Sequence, residues 1–594
     1  MKFDDTATAA GVLQNGWGRG AAMVDFDRDG LVDLYSTNNT GVDVVFRQDP
    51  ANPGTFIDVT TAWGFTHDTR AESGIVAADF DNDGDLDVFL PCGGFIGPQK
   101  DRMYRNDLNT LGVFTNVFSV GLGGDLVNLN NASFGATALD ADGDGLLDLF
   151  MSSNIYTDPQ TGQNVYPQDT FLANLGNFMF YDVTNQVGIN QFADSRHCSA
   201  GDVNNDGFPD IGVSNFAGEC TLWVNDGQGN FIDRHTSSHF ISDDNCFGVV
   251  LEDMNNDGWQ DLVVPRFRLW SQFFMNNHNG TFTKVTNSGI KQHDIMGHNV
   301  YDMDMDGFPD LLFGTGHSSS IQPDVFYVTL PNGNGIKLLD LSTKSRINSP
   351  GLTRCHGQPV GDINGDLFPD VFFCNGGPPS FPNSNGDKSL FIARGNQNHR
   401  IKVSVDGVQS NRFGIGAKIS AYMPNGRAVH KMLSAGKGFC NTDEPAAYIG
   451  LGADTAVDYV QIAWTGGNLQ RVLVPAVEST YHFTETFIKV SGTPALGGAM
   501  DITAVGPALD NVTVWYSSSK ILQASPTYGG VLELGGALTT LGTFSLDASG
   551  RYVGQIILPS APNLSGTKIY VQAFFENQAL TTKGLSTAVT IAIP

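Results

Sequence analysis

The stretch DFDNDGDLDVF, residues 79–89, places five Asp and one Asn within nine positions and then becomes apolar. The same segment recurs seven times, with starts at residues 25, 79, 140, 202, 253, 302 and 362. An apolar run precedes each copy, and β-rich runs such as LDVFLP and TLWVNDGQGN follow it. Four short strands per unit of about 50 to 60 residues are typical of a propeller blade. The repeat therefore predicts an all-β chain whose first part is a seven-bladed β-propeller.

The fourth strand of each unit predicts how the ring closes. Segments such as TFIDVTTAWGF and MFYDVTNQVGI precede the next blade, but the last blade ends at SLFIARGNQ without one. A further copy, KFDDTATAAGV, stands at the N-terminus with no blade before it. We therefore expect residues 2–12 to supply the outer strand of blade seven.

The aspartates have the spacing of a calcium loop. Asp or Asn at positions 1, 3, 5 and 9, with Gly at position 6, is the pattern in which alternate carboxylates turn inward toward Ca²⁺. Sulfur and imidazole, which Zn²⁺ prefers, are missing from these loops. The expected ligands of loops one to seven are Asp25, Asp27, Asp29 and Asp33; Asp79, Asp81, Asp83 and Asp87; Asp140, Asp142, Asp144 and Asp148; Asp202, Asn204, Asp206 and Asp210; Asp253, Asn255, Asp257 and Asp261; Asp302, Asp304, Asp306 and Asp310; and Asp362, Asn364, Asp366 and Asp370.

A simpler interpretation is that these segments are only Asp/Asn/Gly turns between strands. Seven copies in one register favour metal binding, because a dication would offset the repulsion among the carboxylates. The sequence thus predicts up to seven Ca²⁺. Loop seven has the least certain geometry, since Leu367 replaces the Gly of the other loops.

Charge and hydropathy restrict the partners. The formal net charge is −29, and no Lys/Arg cluster is present to neutralise phosphates, which argues against nucleic acid. The sequence contains no run of 18 apolar residues, so no membrane span is predicted. The N-terminus lacks the pattern of a signal peptide, so we expect either a mature form whose leader was removed or an intracellular protein. Weak calcium sites favour the first, with the protein extracellular, on the cell surface or periplasmic.

The repeats resemble those of the FG-GAP/VCBS propellers, which are related to the head of integrin α chains, over about residues 1–397. Beyond them, SNRFGIGAKISAY (410–422) and YIGLGADTAVDYVQIAWTGG (448–467) are similar to the UnbV/ASPIC domain. That domain follows such propellers in the cartilage acidic protein family, and the match spans about 398–488. The turn SAGKGFCNTDEP (434–445) departs from the family, which usually has a Ser-Gln pair there. Arg412 is expected to be a pairing residue, with ligand binding as the alternative.

Residues 491–594 alternate apolar and polar positions in runs such as VTVWYSS and KIYVQAFF. This pattern predicts an Ig-like sandwich that serves as a spacer, anchor or assembly module.

Two disulfide pairs are candidates in an oxidising compartment. They are Cys355 with Cys374, which flank loop seven, and Cys198 with Cys246, on inner strands of neighbouring blades.

One set of residues breaks the repeat. Six blades have Gly five residues before the loop, whereas blade four has His197. Other basic side chains lie near the same end of the inner strands and are expected at one channel mouth. These weak catalytic candidates are His197, His298, His356, Arg196 and Arg354.

The main interpretation is a secreted or surface calcium-binding protein in recognition, adhesion or extracellular assembly. Its expected partner is a protein or carbohydrate at the cell exterior, and self-association is left open. The alternative is a carbohydrate-active lyase or hydrolase that uses the His/Arg cluster. Polar lining of a wet channel is the simplest account of that cluster.

Overall fold

The structure is a computed structural model of the chain. It describes all residues except 15, 40–41, 66–69, 317–322, 333–334, 348–353, 378–385, 475, 492–498, 507–510, 518, 526–529, 536–537, 547–550, 559–567, 577–582, 587–588 and 593–594. Within the described residues, nearly all of the regular secondary structure is β-strand, as the repeat predicts.

Seven antiparallel sheets form the first part of the chain, and their strands follow one another in sequence order from the centre outward. Blades one to three contain β2 (Gly18–Val24), β3 (Asp33–Asn38), β4 (Val44–Gln48) and β5 (Phe56–Asp58); β6 (Val76–Ala78), β7 (Asp87–Leu90), β8 (Arg102–Asp107) and β9 (Val113–Asn116); and β10 (Ser133–Leu139), β11 (Asp148–Ser153), β14 (Thr170–Asn174) and β15 (Phe180–Asp182), with a small hairpin of β12 (Tyr156–Thr157) and β13 (Asn164–Val165). Blades four to six contain β16 (Ser195–Gly201), β17 (Asp210–Asn215), β18 (Thr221–Asn225) and β19 (Phe231–Asp233); β20 (Val250–Glu252), β21 (Asp261–Val264), β22 (Gln272–Asn276) and β23 (Phe282–Lys284); and β24 (Ile295–Tyr301), β25 (Asp310–Thr315), β26 (Val325–Asn332) and β27 (Gly335–Asp340).

Blade seven joins the two ends of the propeller. Its inner strands are β28 (Val360–Gly361), β29 (Asp370–Phe373) and β30 (Ser389–Ala393), and its outer strand is β1 (Phe3–Asp5). Phe3 lies opposite Ala393 in this antiparallel pairing. The inner strands also meet across the seam, where the Gly357 amide donates to the Arg19 carbonyl at 2.8 Å. The ring is therefore a seven-bladed propeller.

The apolar core lies between neighbouring blades. One cluster joins Val76 and Phe89 of blade two to Leu149 and Phe180 of blade three. Such interleaving requires each blade to bury both faces, which explains the apolar inner strands of the repeat. The helices are single turns at blade edges: Ala7–Ala10, Leu108–Leu111 and Ser342–Ser345, with 3₁₀ turns at Gly94–Ile96, Val117–Val120 and Gly124–Asn128. No helix among the described residues is long and apolar enough to cross a membrane.

All seven cysteines are buried and unbonded, so neither candidate disulfide forms. Cys355 lies opposite Asn375 in its bridge, one residue away from Cys374. A one-residue offset between strands turns side chains to opposite faces of the sheet. Accordingly, Cys355 and Cys374 pack in different apolar clusters.

The next eight strands belong to a second unit, and seven of them form two packed sheets. They are β31 (His399–Asp406), β32 (Lys418–Tyr422), β33 (Ala428–Met432), β34 (Asn441–Thr442), β35 (Ala447–Gly452), β36 (Tyr459–Ala463), β37 (Leu469–Val472) and β38 (Ser479–Thr484). One sheet has the order β35-β31-β38, and the other begins β33-β32-β36-β37. The two-residue strand β34 leaves this unit and pairs in parallel with β2 of the propeller.

The last strands are β39 (Phe487–Ser491), β40 (Ala499–Val505), β41 (Asn511–Ser517), β42 (Ser519–Ser525), β43 (Gly530–Gly535), β44 (Thr539–Ser545), β45 (Arg551–Ile557), β46 (Lys568–Glu576), β47 (Lys583–Leu585) and β48 (Val589–Ala592). A three-stranded sheet and a second sheet centred on β46 enclose one apolar cluster, which gives a sandwich. Two features differ from the sequence-based expectation. The first strand begins at Phe487, before residue 491, and β42 and β43 extend the sheet of the preceding unit through β37.

Candidate functional site

The predicted loops share a hydrogen-bond scheme, which loop two illustrates, and loop three varies it, since one Asp140 oxygen accepts from the Gly143 amide at position 4. The two carboxylate oxygens of Asp79 accept from the amides of Asp83 at 3.2 Å and Gly84 at 2.8 Å. Asp87 is the first residue of the second strand, and it accepts from the Asn106 amide of the third strand at 2.8 Å. The position 9 carboxylate accepts from a third-strand amide in every blade. The first and last acids of each loop are thereby fixed by backbone donors.

The backbone turns left-handed at two points in every loop. In loop two, Asn82 at position 4 has φ of 59° and Gly84 at position 6 has φ of 95°. Left-handed residues let successive side chains turn to one side, and glycine adopts this conformation most easily. In loop seven, Leu367 adopts φ of 64° and its amide still donates to Asp362 at 2.9 Å. The unusual residue therefore leaves the geometry of loop seven unchanged.

The carboxylates converge in four loops. Three acids per loop offer oxygens that all lie within 4.8 Å of one another, among the described residues. These groups are Asp25, Asp27 and Asp29; Asp79, Asp81 and Asp87; Asp140, Asp142 and Asp144; and Asp302, Asp304 and Asp306. Hard oxygen donors at this spacing suit Ca²⁺ or Mg²⁺.

The electrostatics of the loops also suit a cation. Burial, reinforced by the neighbouring acids, raises the pKa of Asp79 and of Asp140 to about 7, and that of Asp33 to about 8. Carboxylates held ionised in such positions need a compensating positive charge. The donor set therefore fits a hard divalent cation.

Three loops carry one charge fewer because Asn stands at position 3. There the amide group donates to the position 5 carboxylate, as Asn204 does to Asp206 at 2.8 Å. Asn255 and Asn364 make the same contact in loops five and seven. The side-chain oxygen of Asn204 accepts from a backbone amide in its own loop at 3.0 Å.

Loop one contains a cation of its own. The Arg47 guanidinium lies 2.5 Å from Asp27 and 2.9 Å from Asp29. The equivalent third-strand residue in blade two, Arg105, pairs instead with Asp107, outside the ligand set. Loop one is therefore partly neutralised by the chain itself.

The predicted channel-mouth residues are brought together, but they are not at an open mouth. His197, His298 and His356 are at most 1% exposed. The rings of His197 and His298 lie 4.9 Å apart, and Phe439 packs against all three imidazoles. Arg196 is buried and pairs with Asp194 at 2.9 Å, whereas Arg354 is half-buried. In this arrangement a sugar cannot reach the cluster.

Phe439 belongs to a segment that enters the propeller from the second unit, which we call the channel hairpin, residues 434–445. It contacts the innermost chain segment of every blade. The contacts, in order from blade one, are Asn441 with Ala21, Thr442 with Ala77, Ala435 with Ala138, Gly438 with His197, Lys437 with Glu252, Phe439 with His298, and Asp443 with Val360. The predicted wet channel is thus filled by protein.

A buried ionic group anchors the hairpin. Glu252 of blade five pairs with Lys437 of the hairpin and, at 3.2 Å, with Lys431 of β33. Burial lowers the pKa of each lysine to about 8. Asp443 is also buried there, which gives two acids and two lysines. Removal of one charged partner would leave another buried and uncompensated.

Two structural roles were not evident from the sequence. The Gly that precedes six of the seven loops by five residues lies where neighbouring blades approach closely: a Cβ on Gly297 would lie 1.9 Å from the His356 carbonyl. The position 4 Asn side chains of loops two, four and five, which no ligand pattern includes, contact the second unit. Arg412 pairs with Asp406 at 2.9 Å, as expected for a structural residue.

The fold and the loops define a propeller built from FG-GAP-like repeats and followed by an ASPIC and UnbV domain. The model of the FG-GAP-like repeat matches residues 7–90 and 202–264, and that of ASPIC and UnbV matches residues 407–489. We refer to the second unit as the ASPIC domain.

The chain is similar to cartilage acidic protein 1. It is 24% identical to the mouse protein over 76% of this chain and 71% of that one, and 24% identical to the human protein over 76% and 69%. Among solved structures, a DUF3823 family protein from Bacteroides ovatus matches 32% of this chain and 98% of its own length, at 11% identity. Its TM-score is 0.15, which is too low to indicate a shared fold.

Proposed function

We propose that this chain is a calcium-binding protein of the cell exterior that acts in recognition, adhesion or extracellular assembly. The observation that carries the proposal is the repetition of one loop geometry in seven blades, with buried carboxylates that need a cation. The proposed ligands are the position 1, 3, 5 and 9 side chains, with up to seven Ca²⁺ per chain.

The proposed exterior location is supported by the calcium affinity that is typical of such loops. Calcium loops in extracellular modules bind at about 10⁻⁴–10⁻³ M, so such sites would be empty at cytosolic calcium concentrations. The similarity to cartilage acidic protein 1 supports an exterior location. The proposed partner is a protein or carbohydrate, bound on surfaces that the ASPIC domain leaves free.

The carbohydrate-active alternative would need substrate to reach the three histidines. Phe439 covers them, and the channel hairpin occupies the space between the blades. No observation among the described residues favours this alternative over recognition.

Calcium is tested by stability, since an ion that binds only the folded chain raises its melting temperature. We expect melting in millimolar Ca²⁺ to exceed melting in EGTA by many degrees, and equal curves would contradict the proposal. Asp81→Ala should reduce the difference by removing a ligand, which Asn at this position, as in loops four, five and seven, would not do. The control is Asp226→Asn, which removes one exposed turn charge and should leave the calcium effect unchanged.

A further inference from the structure

The propeller face that carries the loops is covered by the chain's own ASPIC domain. Six of the seven loops contact residues 396–467 within the described structure. The contacts are Asn82 with Arg412 in loop two, Gly145 with Gln409 in loop three, Gly207 with Gly466 in loop four, Asn256 with His430 in loop five, Met305 with Gly452 in loop six, and Asp366 with Arg400 in loop seven. This surface cannot meet an external partner while the domain is seated.

Most of these contacts are made by the left-handed part of the loop. Asn256, at position 4, donates to the Ala428 carbonyl at 2.9 Å and accepts from the His430 amide at 3.0 Å. Lys418 donates to Asn205 of loop four at 2.5 Å and to the Gly258 carbonyl of loop five at 3.2 Å. These are the residues whose positions depend most directly on how the surrounding carboxylates are arranged.

The channel hairpin connects two strands that are hydrogen-bonded to the loops. It begins after β33, which loop five contacts through Ala428 and His430. It ends before β35, whose Gly452 donates to the Met305 carbonyl of loop six at 3.1 Å. The position of the hairpin in the channel is therefore linked through two strands to two candidate cation loops.

We propose that the loop face of the propeller is the receptor surface for the ASPIC domain, and that cations in the loops keep the channel hairpin seated. The inference rests on the proposed calcium binding. Without a cation, the three or four acids of each loop repel one another, and the position 4 and 6 contacts loosen. The hairpin then leaves the channel before the blades unfold.

Within the described structure, loop one takes no hydrogen-bonding part in this receptor surface. It makes no hydrogen bond to the ASPIC domain among the described residues, and a cleft of about 370 Å³ lies between it and the domain. Asp25 and Arg28 line one side, and Arg412 and His482 line the other. Arg47 already neutralises part of this loop, so it needs a cation least.

Cys440 at the tip of the hairpin reports its position. The thiol is buried, and burial raises its pKa to about 12, which makes it unreactive while the hairpin is seated. Cys92 in blade two is fully buried and reports unfolding of a blade. The native 594-residue chain is treated with N-ethylmaleimide in Ca²⁺ or in EGTA, and labelling of each peptide is followed by mass spectrometry.

We expect Cys440 to be labelled at least about tenfold faster in EGTA than in Ca²⁺, while Cys92 stays protected in both. Labelling of Cys440 and Cys92 at one common rate would overturn the inference, since the hairpin would then leave only on unfolding. Protection of Cys440 in both buffers would overturn it as well. If melting is also insensitive to Ca²⁺, the calcium proposal itself fails, which separates the two outcomes.

A variant outside the loops tests the linkage. Lys418→Met removes the contacts to loops four and five without altering a candidate ligand. We expect faster labelling of Cys440 in Ca²⁺ with the same number of bound Ca²⁺ in equilibrium dialysis. Lys489→Met, at an exposed position in β39, is the matched control and should label as wild type. Labelling of Lys418→Met at the wild-type rate would contradict the linkage.

Discussion

Loop seven shows how a single residue changes the energy of a motif without changing its shape. The sequence predicts that loop seven could differ in geometry at Leu367, because a residue with a side chain disfavours left-handed backbone. The structure keeps the loop, since the Leu367 and Asp366 amides still bind Asp362 and outweigh the local cost. Leu367 therefore adds strain to loop seven without altering the shape of the loop.

This cost can be measured. Left-handed backbone at a residue with a Cβ costs about 1–2 kcal/mol, so Leu367→Gly should raise the free energy of unfolding by about 1 kcal/mol. Urea denaturation in EGTA avoids any contribution from the cation. Leu146→Gly is the control: it lies one position later in its own loop, outside the left-handed residues, and should destabilise the chain. A loss of stability in Leu367→Gly would contradict the argument.

At the scale of elements, the repeat explains the blades but not the channel hairpin. Each blade is local: its four strands follow one another within about 50 residues, so spacing alone predicts them. The hairpin contacts residues of every blade, from Ala21 to Val360, and these contacts share no sequence signal. Its sequence therefore reads as a turn, and only the folded chain shows Phe439 in the channel.

The N-terminal strand is the element whose pairing the sequence could suggest, because it repeats a pattern that blade seven lacks. Phe3 is fully buried, and its ring meets that of Phe326 edge-on at 6.0 Å. Phe3→Ala should lower the free energy of unfolding by about 3–5 kcal/mol. Asp4→Asn, which affects exposed pairs with Arg394 and Arg346, should cost less than about 1 kcal/mol. Equal effects of the two changes in urea denaturation would argue against the closure.

At the scale of the whole molecule, two long-range arrangements connect the candidate cation loops, the channel and the second domain. Asn side chains of the third strands bind the preceding blade's loop, as Asn106 binds Phe26 at 2.8 Å. The ASPIC domain then spans six loops and reaches through the ring. The structure brings the three histidines together, but in a buried cluster and not at an open channel mouth, because Phe439, which packs against them, lies in another domain.

The buried histidines make stability depend on pH. Burial lowers the pKa of His197 to about 4, and it lowers those of His298 and His356 well below the usual 6.5. In the unfolded chain these groups titrate near 6.5, so below that pH the unfolded chain binds more protons than the folded one. Stability contributed by the neutral imidazoles is therefore complete above about pH 6.5 and is lost as the pH falls toward 4.

His298→Phe isolates one of these imidazoles, because it keeps an aromatic ring against Phe439 and removes the titration. Between pH 7 and pH 5.5, in saturating Ca²⁺, wild type should lose about 1 kcal/mol more stability than His298→Phe, since one pKa unit corresponds to about 1.4 kcal/mol. Chemical denaturation at the two pH values measures this difference, and effects of acid on the loops cancel between the two proteins. His239→Asn, at an exposed left-handed position, should follow wild type. Parallel losses in wild type and His298→Phe would show that this imidazole does not stay neutral in the folded chain.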